Sequence, residues 1–121
     1  MPLVLRDDKD GVATLTLNAP ERLNALSDAM LAELKGRIDD LSDDTSVRAV
    51  ILAAEGKAFC AGHDLKEMQA GRQSEDGGAA YFADLFSRCS EVMLGLQRLP
   101  QPVIARVHGV AAAAGCQLVA S

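Results

Sequence analysis

The 121-residue sequence holds no run of lysine or arginine, and its 17 acidic residues outnumber its 12 basic ones for a net charge of -5. A nucleic acid or an anionic membrane would find no basic surface here to bind. No apolar stretch reaches the ~18 residues that a membrane span requires, and the opening MPLVLRDDKDG lacks the basic segment that begins a targeting signal. The expectation is a protein of the cytoplasm that works without nucleic acid and without membrane. Cysteine is scarce. Cys60, Cys89 and Cys116 are widely spaced and form no C-x-x-C pair, so a disulfide scaffold is excluded and three buried, reduced thiols are expected. Nucleotide signatures are missing as well: residues 109–115 read GVAAAAG, without G-x-G-x-x-G, and Gly56-Lys57 has no Walker glycine upstream. The nucleophile elbow G-x-S-x-G is also absent, which disfavours a serine peptidase.

What is present is apolar residue in quantity. With 49% hydrophobic and 24% charged residues the chain can bury a core, and its length allows one domain or part of one. Val12 to Leu17 alternates Ala13, Leu15 and Leu17 with threonines, and Leu3 to Leu5 is its partner across the turn at Asp10-Gly11, which predicts a hairpin. Leu26, Met30, Leu34, Ile38 and Leu41 recur at helical period behind the capping candidates Ser27 and Asp28, so a helix is predicted over 27–41. Val47 to Ala54 is nearly continuous in aliphatic residues, as a strand buried on both faces would be. Polar, glycine-bearing Gln69 to Gly78 reads as a mobile surface loop over a ligand. A helix from Phe82 to Leu99, halted by Pro100, and a strand over 102–107 follow. Strands alternating with helices predict an α/β fold.

Both buried strands run into glycine-bearing turns. The first is the stretch Phe59 to Met68, FCAGHDLKEM, and the second is Ala113-Ala114-Gly115. In open α/β sheets ligands sit beyond the carboxyl ends of the strands, where unpaired amides at helix starts attract negative charge. Two such turns side by side could aim two N–H groups at one oxygen, as an oxyanion hole does. Cys60 and His63 could instead be a nucleophile and base, or join Asp64 as metal ligands, but the spacing is not a recurring metal pattern and no second ligand cluster exists. No metal is expected. His108, before Gly109 at a strand end, reads as structural.

Arg22-Leu-Asn24-Ala25-Leu26, Gly56 to Leu65, and Pro102 to Ala105 followed by Gly109 to Leu118 resemble, in order and spacing, the enoyl-CoA hydratase/isomerase, or crotonase, superfamily. The resemblance implies a crotonase-like fold of repeated β-β-α units. Because the final apolar segment reaches Ser121 without a cap, residues 1–121 are expected to be the N-terminal part of one acyl-CoA-binding domain. It also implies that the peptide N–H groups of His63 and Ala114 stabilise a thioester enolate. Arg22, Asn24, Ala25, Ala61, Gly62, Asp64, Leu65 and Gly115 are implied to line or position the substrate. The partner would be an acyl-CoA thioester, with coenzyme A belonging to the substrate and no separate cofactor, in a homotrimer or dimer of trimers. Gln117 departs from the family, which carries a hydratase glutamate there. An amide cannot act as general base. A lyase or isomerase is therefore expected, with a non-catalytic acyl-CoA-binding protein as the alternative.

Overall fold

A computed structural model describes residues 2–121. Strand β1 (Val4–Lys9) pairs antiparallel with β2 (Val12–Leu17), which pairs parallel with β3 (Ala49–Ala54), which pairs parallel with β4 (Val103–Ala105). The sheet order is β1-β2-β3-β4. Helix α1 (Asp28–Ser42) connects β2 to β3 after a short 3-10 turn at Pro20–Arg22, and α2 (Leu65–Gly71) and α3 (Ala79–Arg98) connect β3 to β4. A last helix, α4 (Ala114–Ala120), follows β4. No helix among the described residues is long and apolar enough to cross a membrane.

The core follows from the alternation read in β2. Ala13, Leu15 and Leu17 are all buried and lie opposite Val50, Leu52 and Ala54 of β3. Leu31, Leu34, Ile38 and Leu41 of α1 and Leu85, Cys89, Val92 and Leu96 of α3 close over that face. The Ser27 hydroxyl caps α1 by accepting from the Met30 N–H at 3.1 Å, which fixes the helix start where the sequence placed it. Leu99 is extended, with ψ 136°, because the ring of Pro100 bars the helical conformation before it.

Four expectations need correction. The segment Gln69 to Gly78 is not all loop: α2 runs through Gly71, begun by Asp64, whose carboxylate accepts from the N–H groups of Lys66 and Glu67. No residue of α2 is buried, so no apolar period announced it. The strand predicted over 102–107 shortens to three residues: Pro102 has no N–H to give a ladder, and past the Arg106 N–H bond to the Leu52 carbonyl the chain leaves β3. The second face of β3 is only partly covered among the described residues: Thr14, Ile51 and Ile104 form one row across the sheet, and Ile104 is 57% exposed. Finally, Cys60 and Cys89 are buried as expected, but Cys116 lies exposed on α4.

Candidate functional site

Two glycines bring the turns after β3 and β4 together. Gly62 has φ +102°, and a methyl group there would stand 3.2 Å from the Ala112 carbonyl and 3.6 Å from the Ala114 nitrogen. At Gly115 the added carbon would collide with the carbonyl of Cys60. The first position needs left-handed backbone and the second needs close approach, so glycine is required at both. Cys60 and Ala111 complete the contact as a short parallel bridge.

The direction of each N–H follows from its own peptide. In a trans peptide the carbonyl and the next N–H point opposite ways, and no cis bond occurs among the described residues. Gly62 turns its carbonyl to the Leu26 N–H at 2.6 Å, so the His63 N–H points away from that bond. Ala113 turns its carbonyl along α4 to the Gln117 N–H at 3.1 Å, so the Ala114 N–H points out of the helix start. Among the described residues neither N–H donates a hydrogen bond. Ala113 itself holds φ +50°, ψ -120°, a strained conformation for a residue with a Cβ.

Two cavities meet at these turns. One, of about 870 Å³, lies between α3 and α4 and is lined by His63, Phe86, Met93, Ala114 and Gln117 among others. The other, of about 500 Å³, is lined by Arg22, Ala25, Ala61, His63, Asp64, Leu65 and Lys66. His63 and Ala113 border both. The His63 ring rests on Phe86 at 5.8 Å between centroids, and its Nδ1 is buried without a hydrogen-bond partner. At the mouth of the second cavity the Arg22 guanidinium stands 3.6 Å from Asp64, beside Lys66.

The remaining residues singled out from sequence act at one remove. Asn24 lines neither cavity. Its fully buried amide donates to the carbonyls of Glu55 and Ala58 and its oxygen accepts from the Ala19 N–H. It clamps the Arg22 to Leu26 loop against the turn after β3. Gly62 and Gly115 are likewise buried spacers. His108 donates through Nε2 to the Gly56 carbonyl at 2.6 Å, a structural tie. Burial pushes the Cys60 thiol up despite the Gly62 N–H beside it, which works against a thiolate nucleophile. Sequence reading missed Lys66, which stands just past the family match ending at Leu65, and the α3 face, whose residues read as core because their spacing is that of any amphipathic helix.

These features define an α/β domain of the crotonase class, with its two turns side by side beyond the parallel strands. The chain belongs to the enoyl-CoA hydratase/isomerase family, whose model matches residues 7–121. It is similar to an enoyl-CoA hydratase of Mycobacterium smegmatis of known structure, with 63% identity and a TM-score of 0.91, covering 99% of this chain and 45% of that one. It is 46% identical over 112 residues, 93% of this chain and 35% of the relative, to human enoyl-CoA hydratase domain-containing protein 3, mitochondrial. It is 36% identical over 118 residues, 98% of this chain and 44% of the relative, to 1,2-epoxyphenylacetyl-CoA isomerase of Escherichia coli. The chain thus spans less than half the length of these relatives.

Proposed function

We propose that this chain binds acyl-CoA thioesters and stabilises their enolates between the peptide N–H groups of His63 and Ala114. The carrying observation is that two N–H groups without partners among the described residues sit on adjoining turns where two cavities meet. Preorganised donors of this kind stabilise charge as it develops on a thioester oxygen. The cavity bearing Arg22 and Lys66 would take the phosphate-rich coenzyme A, and the one bearing Gln117 the acyl group. Gln117 is exposed in that cavity and can hold an oxygen but not remove a proton. The reaction is then a lyase or isomerase step that draws its base from another residue.

A second reading, a binding protein that retains the hole without turnover, is favoured by the same amide at Gln117. All three cysteines are unpaired, as a reducing compartment keeps them, and we place the protein in the cytoplasm. The human relative's name places that protein in mitochondria. A homotrimer, or a dimer of trimers, is the assembly we propose.

Titration with a β-ketoacyl-CoA tests the hole, because its enolate has an ultraviolet absorbance of its own. The band should grow on binding at neutral pH. Binding without the band would remove the hole from the reading. Turnover across a panel of acyl-CoAs, measured beside affinity, then separates enzyme from binding protein.

A further inference from the structure

The cavity beyond the two turns is not lined as a purely apolar slot would be. Helix α3 offers it Phe86, Cys89, Ser90, Met93, Leu94 and Gln97. Ser90 and Gln97, seven residues apart, share one stripe of the helix about 10 Å long, and both are exposed. From α4 Gln117 lines the same cavity, and the near end carries the His63 imidazole with its unpartnered, buried Nδ1. A plain hydrocarbon laid in this groove would strip water from the two amides of Gln97 and Gln117 and the hydroxyl of Ser90 and offer them no partner. Each group so stranded lowers affinity about five- to tenfold.

We propose that the groove between α3 and α4 selects acyl groups carrying a hydrogen-bonding oxygen remote from the thioester, such as a terminal hydroxyl, over plain alkyl chains of equal length. The inference rests on the thioester-binding reading above. Ser90 and Gln97 are the specificity-determining groups. They lie about one and three helical turns beyond Phe86, which packs on His63, so they meet the tail of the acyl group and no reacting atom.

Calorimetric titration of the protein with coenzyme A, hexanoyl-CoA and ω-hydroxyhexanoyl-CoA tests the selection. The hydroxylated thioester should bind about five- to tenfold more tightly than hexanoyl-CoA, and Ser90→Ala with Gln97→Leu should bring the ratio to about one or below. Both positions are exposed, and a thermal melt checks that the double variant keeps its fold. Equal or tighter binding of hexanoyl-CoA to the unsubstituted protein overturns the inference, and so does a preference that survives both substitutions. If neither thioester binds more tightly than coenzyme A, the thioester reading falls with it. Good binding of hexanoyl-CoA without preference sinks the selectivity alone.

Discussion

Asn24 and Ala58 are joined by a buried hydrogen bond of 3.1 Å from the side-chain amide to the carbonyl, across 34 residues of sequence. The same side chain holds Glu55 and Ala19. The loop it steadies supplies Leu26, whose N–H engages Gly62, and Leu23, whose carbonyl accepts from Ala61 at 3.0 Å. One amide therefore stands behind the orientation of the His63 peptide. Asn24→Ala would strand a buried N–H and two carbonyls, at about 1–3 kcal/mol for each group left unsatisfied. A loss of about 3 kcal/mol in denaturant titration is expected. A change below about 1 kcal/mol would show that water replaces the clamp.

Much of this was legible beforehand, and the reasons differ by element. The hairpin, α1 and α3 carry period and caps in their own residues, so Ala13, Leu15 and Ser27 fell where expected. The helix α2 has no buried residue; its signal was Asp64 alone, which had been weighed as a site residue. The meeting of Gly62 with Ala114 depends on β3 and β4 lying side by side. No local pattern encodes that; the family resemblance supplied it. The contacts of Asn24 were illegible for a related reason, since its three partners lie 5, 31 and 34 residues away.

Thiol accessibility separates side-chain from backbone chemistry at low cost. Cys116 is exposed, while burial raises the thiols of Cys60 and Cys89, leaving less thiolate at any given pH. Iodoacetamide at neutral pH should label Cys116 first and the other two only on unfolding. Rapid labelling of Cys60 in the folded protein would revive it as a nucleophile.

Ala113→Gly should raise stability by about 1 kcal/mol. Its φ of +50° and ψ of -120° cost an alanine about 1–3 kcal/mol, offset in glycine by roughly 0.5–1 kcal/mol of extra chain entropy. Thermal melts read the gain directly. A destabilised glycine variant would mean that the Ala113 methyl, packed toward Gly62, contributes more than the strain removes.

Gln117→Glu places a carboxylate in the cavity beyond the two turns without burying it, since the position is exposed. Where a second acid completes the site, hydration of a short enoyl-CoA should rise by about 10²–10⁴-fold, the usual range for general-base assistance. Unchanged hydration with affinity intact would take this position out of the catalytic layer.

The most direct test removes one N–H and leaves every side chain in place, weakening only the Ala113 carbonyl as acceptor for the Gln117 N–H. Proline at position 114 suits the first turn of a helix, but its ring excludes most conformations of the preceding residue, and Ala113 is already fixed at φ +50°. Replacing Ala114 by the corresponding hydroxy acid, lactic acid, avoids that conflict: the methyl group and the trans geometry remain while the amide N–H becomes an ester oxygen. Because the Ala114 N–H donates no hydrogen bond among the described residues, folding should survive with a melting temperature close to the parent's. Because the same N–H is one of two proposed enolate donors, turnover should fall by about 10²–10³-fold, the 2.7–4 kcal/mol typical of a lost oxyanion donor. The enolate band of a bound β-ketoacyl-CoA should weaken in step. A folded ester variant with undiminished turnover and an undiminished band would show that the negative charge is held elsewhere, and the side chains around His63 would then have to carry the chemistry.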